Sequence, residues 1–91
     1  MPMHNPPHPG LLLREWIPET MSITTAASEL KISRVTLSKI INGNGNISAD
    51  MALRLSLWLG TSAECWLSLQ VKYDLWQAEQ KGCPFIARIA A

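Results

Sequence analysis

The residues best placed to do chemistry in this chain sit close together, between Ser33 and Asn42. Arg34 carries the paired donors that match the O6/N7 edge of guanine, and Val35 or Thr36 can meet a thymine methyl. Ser38 and Lys39 can read bases or hold phosphate. Thr24, Asn42 and the backbone amides that follow Ser33 can donate to phosphate oxygens. This is chemistry for reading a nucleic-acid duplex, and nothing in it breaks a covalent bond.

A helix must carry these groups for them to act together. Leu37, Ile40 and Ile41 recur at helical spacing and give a narrow apolar face, so Arg34, Ser38 and Lys39 fall on the open side. Ser33 is the N-cap of that helix, predicted over residues 34–42, and Gly43 supplies the left-handed residue that stops it. The preceding segment, Ile23 to Leu30, is a second helix in which small Ala26 and Ala27 allow another backbone to approach. Leu30 and Ile32 flank the turn. Two helices joined this way cross steeply, and the second projects outward far enough to enter a major groove.

The rest of the chain frames that pair. At 91 residues it is one domain's worth, and 47% hydrophobic content fills one small core. Formal net charge is only +1, so affinity for a polyanion has to come from clustering. Between Glu29 and Glu64 stand Lys31, Arg34, Lys39 and Arg54 against Asp50 alone, a local excess of three positive charges. Residues 1–8, rich in proline, read as a flexible N-terminal arm in which His4 and His8 have no company for a metal. A first helix starts near Pro9 and runs through Ile17, with Pro18 at or past its end. Ser48 caps a fourth helix with Asp50 in its first turn, and Gly60 closes it. Thr61 or Ser62 opens a long fifth helix to about Gln80. Gly82 and Pro84 break it before an apolar tail, residues 81–91. The fold class is all-α, with residues 9–80 as the folded domain.

The fifth helix is apolar on two sides. Trp66, Leu69, Tyr73 and Trp76 make one stripe; Leu67, Val71, Leu75 and Ala78 make another, with Gln70, Asp74 and Gln77 on a flank between them. A lone surface helix needs one apolar face. A second implies a homodimer contact, here expected over Leu67, Val71, Leu75 and Ala78, or else cover by the tail folding back. Trp58 and Trp66 read as core.

The pattern Ala27, Ile32, Leu37 and Ile40 resembles the helix-turn-helix of phage-repressor-like (Xre) proteins. Lys31 departs from it, standing where such turns often carry glycine, so it must take a strained left-handed backbone or alter the turn. With "HPG" at His8–Gly10, the helix order, and Trp66, Leu67, Leu69, Gln70, Tyr73, Asp74 and Leu75, the span from Pro9 to Ala78 resembles the HigA-type antidotes of addiction modules. That resemblance implies a five-helix bundle with a long C-terminal helix. It also implies a dimeric repressor bound to double-stranded operator DNA, which neutralises a HigB-like mRNA-cleaving toxin. A stand-alone regulator without a toxin, or a protein-binding module, fits the same residues.

Other classes find little support. Glu15, Glu19, Glu29, Asp50, Glu64, Asp74 and Glu79 form no metal-binding pair beside a basic cleft, and Cys65 and Cys83 have no neighbouring base, so no enzyme and no cofactor are expected. The two cysteines read as free thiols in a reducing compartment. With no membrane-length apolar run and no signal peptide, the expected place is the cytoplasm.

Overall fold

The computed structural model describes residues 5–89. Five helices follow in order: α1 (Pro9–Trp16), α2 (Ile23–Leu30), α3 (Arg34–Ile41), α4 (Ala49–Leu59) and α5 (Ala63–Lys81). Among the described residues there is no strand. The all-α expectation holds.

Serine begins four of the five helices. The side chains of Ser22, Ser33, Ser48 and Ser62 accept from the amides of Thr25, Thr36, Met51 and Cys65, respectively. Each bond satisfies one amide that the first turn leaves without a partner. α1 is capped differently, by His8, whose Nδ1 accepts from the Gly10 amide at 2.9 Å. The expected boundary of the folded part therefore moves: His8 is buried in the body and does not belong to a free arm. Residues 1–4 of that arm, His4 included, lie outside the described residues.

The core is built from one face of each helix. Leu13 of α1, Ala26, Ala27 and Leu30 of α2, Leu37, Ile40 and Ile41 of α3, Met51, Ala52 and Leu55 of α4, and Trp66 of α5 are buried together, with Ile17 and Ile47 from the connections. α3 sits between α1 and α2, while α4 packs against both α2 and α5. Gly10 makes the α1–α3 contact possible, because a Cβ there would run into the Ile40 carbonyl. No helix among the described residues is long and apolar enough to cross a membrane.

Small differences from the predicted boundaries have local causes. α1 stops at Trp16, one residue short, because Ile17 is already extended ahead of Pro18. Asn42 caps α3 and does not continue it, and its Nδ2 bonds the Ser38 carbonyl at 2.8 Å. α5 runs one residue further than expected, to Lys81.

The larger correction concerns α5. Gln70, assigned above to a polar flank, is buried beside Trp66, and Tyr73 lies against His8 edge to face. The inward face is thus centred on Gln70, with Trp66 and Tyr73 on one side of it and half-buried Leu67 on the other. Val71, Leu75 and Ala78 remain exposed. The tail does not fold back over them: residues 82–89 form neither helix nor strand and stay exposed.

Candidate nucleic-acid interface

α3 is moored from behind and open in front. Leu37, Ile40 and Ile41 are buried, whereas Arg34, Val35, Thr36 and Lys39 are exposed and Ser38 is half-buried. Among the described residues the only ion pair is Arg54 with Asp50, so Arg34 and Lys39 keep their charges unneutralised. Thr24, on the first turn of α2, is exposed as well. α2 and α3 pack directly against each other, which brings the candidate residues onto two adjoining helices.

Not every candidate side chain is equally free. The Ser33 hydroxyl accepts from the Thr36 amide at 3.0 Å and donates to the Thr36 hydroxyl at 2.7 Å. Ser22 and Thr25 repeat the arrangement on α2. Ser38 and Asn42 are joined to each other, Nδ2 to Oγ at 3.3 Å. These residues set the helix ends and keep some acceptor capacity, while Arg34, Val35 and Lys39 are wholly available to a ligand.

Of the two alternatives open to the turn between the helices, it takes the strained one. Lys31 has φ 59° and ψ 43°, the left-handed region, and its amide bonds back to the Ala27 and Ser28 carbonyls. Arg54, counted above only as part of the positive cluster, holds that turn. Its Nη1 donates to the carbonyls of Leu30 and Lys31 at 2.9 and 3.1 Å, and its Nε pairs with Asp50 at 2.8 Å. A neighbouring bond, Trp58 Nε1 to Glu29 at 2.9 Å, ties α4 to α2. Trp58 is thus half-buried and Trp66 fully so, its Nε1 donating to Thr61.

The loop after α3 is held from farther away. Gln70 Oε1 accepts from the Ile47 amide at 2.8 Å, and its Nε2 donates to Asn46 and Asp74 at 3.3 and 2.9 Å. His8 reaches the same loop. Burial lowers its pKa below the ordinary 6.5, and a hydrogen bond with the Gly45 backbone and the nearby Asp74 carboxylate partly offset this. Neither role was visible in the chain's order, where Gln70 fell on the polar flank of α5 and His8 among the prolines. Among the described residues no cluster of histidine, cysteine and acidic side chains gathers for a metal ion.

This architecture has known counterparts. The helix-turn-helix family model matches residues 12–64. Virulence-associated protein A' of Dichelobacter nodosus is 47% identical, over 87% of this chain and 70% of that protein. The chain belongs to the helix-turn-helix family. Its similarity to HigA-type members extends over the whole fold. An addiction module antidote of the HigA family from Coxiella burnetii superposes with a TM-score of 0.80 at 40% identity, covering 85% of this chain and 86% of that one. The antitoxin GraA, solved in complex with its operator, gives 0.81 at 40% identity over 94% and 93%. In helix-turn-helix proteins the second helix of the pair enters the major groove; the second helix of the pair here is α3.

Proposed function

We propose that this protein is the antidote of an addiction module, a repressor that binds its own operator through α3 and neutralises a HigB-like ribonuclease toxin. The observation that carries the reading is the state of α3, with three buried aliphatic anchors behind and unpaired Arg34 and Lys39 in front. The likeness to GraA with its operator supports it. Arg34 is assigned to base edges, Lys39 to bases or phosphate, and Val35 and Thr36 to thymine methyls. Thr24, Asn42 and the backbone amides that follow Ser33 are assigned to the phosphates of the duplex, and Ser38 to bases or phosphate.

A palindromic operator calls for two copies of α3 about one helical turn of DNA apart. The dimer is assigned to the exposed stripe of α5, Val71, Leu75 and Ala78, with Leu67 at its inner edge. The protein acts in the cytoplasm as a binding protein without a catalytic role. Toxin neutralisation rests on the family likeness, and co-expression with a neighbouring ribonuclease-like reading frame checks it: growth should be rescued.

Operator binding is tested by titration at several salt concentrations, where affinity should fall steeply as phosphate contacts release counterions. Arg34→Ala should cost about 1–3 kcal/mol and relax base preference at one position. Unchanged affinity and selectivity in that variant would refute the assignment of α3.

A further inference from the structure

The exposed apolar surface of this molecule is unevenly spread. Phe85, Ile86 and Ile89 in the tail are 93%, 74% and 88% exposed, and Leu57 on α4 is 87% exposed. Leu53 stands one turn before Leu57, so the two form a ridge on the face of α4 opposite buried Leu55. Contiguous apolar surface of this kind marks a place that something covers.

The apolar stripe on α5 is small for a dimer contact. Val71 and Leu75 are already about half-covered, at 54% and 51% exposed, and Ala78 adds little. That falls well short of the roughly 800 Å² per partner of a standard interface. The missing area is present in the tail and the α4 ridge.

Geometry brings those two together only between copies. α5 has 19 residues and is therefore about 28 Å long. The tail leaves its C-terminal end, while the chain's own Leu57 lies just before its N-terminal end. Residues 83–89 reach at most about 25 Å when fully extended, less than the length of α5, and within one chain they leave both themselves and the ridge exposed. Gly82, at φ 82° and ψ 162°, carries the chain onward without reversing it, and Pro84 keeps Cys83 extended. The described chain is accordingly elongated, 54 Å by 22 Å by 21 Å. In a two-fold pair whose α5 helices run antiparallel and cross between Val71 and Leu75, the end of one α5 lies level with the start of the other. The tail then emerges beside the partner's α4.

We infer that the apolar tail is exchanged between copies, with Phe85, Ile86 and Ile89 of each lying over the Leu53–Leu57 ridge of the other. This rests on the α5 pairing proposed above. In this arrangement Cys83 of one copy sits near Cys65 of its partner, whereas within a chain the two are separated by the length of α5. Both thiols are exposed and free.

Sedimentation and cross-linking test the exchange separately from the pairing. The triple variant Phe85→Ser, Ile86→Ser, Ile89→Ser should raise the dimer dissociation constant by at least roughly tenfold with helix content unchanged. Leu57→Ser should weaken pairing in the same direction, and the combined variant should lose less than the two effects added. A short bismaleimide should join a mixture of Cys65→Ser and Cys83→Ser proteins into covalent dimers, and neither protein alone. If the triple variant pairs as tightly as the unmodified chain, or the mixture does not cross-link, the exchange is wrong while α5 pairing stands. An unmodified chain that stays monomeric at high micromolar concentration overturns both.

Discussion

The two ends of α3 are secured by different means. Before it, Lys31 turns the chain in a left-handed conformation, Ser33 caps the first turn, and half-exposed Arg54 holds the Leu30 and Lys31 carbonyls. Behind it, the Asn42–Ile47 loop depends on buried Gln70 from α5 and on His8 from the start of the domain. The distinction is one of solvent. Carbonyls released by Arg54 can turn to water, whereas the Ile47 amide, facing a buried partner, has no substitute. The leading turn is backed by a partly solvated contact and is tolerant. The trailing loop is dictated by tertiary contacts and is fragile.

The largest effect is expected at Gln70. Gln70→Leu keeps the volume near Trp66 but strands the Ile47 amide and removes the donor to Asn46 and Asp74. A buried donor left without a partner costs about 1–3 kcal/mol, and the urea midpoint should fall accordingly. Operator affinity should fall with it, because the loop fixes where α3 ends. A variant within about 0.5 kcal/mol of the unmodified chain would mean that the loop holds itself, and the contrast would be lost.

A smaller effect of opposite sign is expected at the leading turn. Lys31 occupies a backbone region that costs a residue with a Cβ about 1–2 kcal/mol. Lys31→Gly relieves that strain and loses some of the gain to the freer unfolded chain, leaving a net stabilisation of about 1 kcal/mol in thermal or urea unfolding. Destabilisation instead would show that the lysine side chain supports the turn, which its exposure argues against.

The same contrast explains what was legible in the residues themselves. The caps at Ser33 and Ser48, the stop at Gly43, the strained Lys31 and the inward face of α3 all follow from relations between residues a few positions apart. Such relations survive without knowing the fold. His8, Gln70 and Arg54 act across 23 residues or more in the cases of Gln70 and Arg54, and His8 meets Tyr73 from the far end of the chain. Their types alone, a histidine after prolines, a glutamine on a flank and an arginine in a basic run, pointed elsewhere. α5 was ambiguous for another reason: apolar residues surround much of it, so periodicity could not choose the inward face. Burial of Gln70 made the choice.

The smallest expected effect belongs to His8 and follows from its protonation. Nδ1 accepts the Gly10 amide, so the ring must be neutral there, and protonating it would set two donors against each other. The ring's surroundings are Gly10, the Gly45 backbone, Tyr73 and the Asp74 carboxylate; burial outweighs the favourable influence of the Gly45 hydrogen bond and of Asp74, and the pKa stays lowered. The native ring therefore resists a proton that the unfolded chain takes up readily near pH 6.5. Stability from this residue is complete well above that pH and declines as the pH falls through 6.5 and below it. His8→Asn supplies an alternative cap acceptor that does not titrate, so its unfolding free energy should lack this part of the pH slope, whatever constant loss the smaller side chain brings. If the slope in that window survives the substitution, His8 is not the titrating group, and the trailing loop owes its hold on α1 to packing at Gly10 and Ile40 and not to the imidazole.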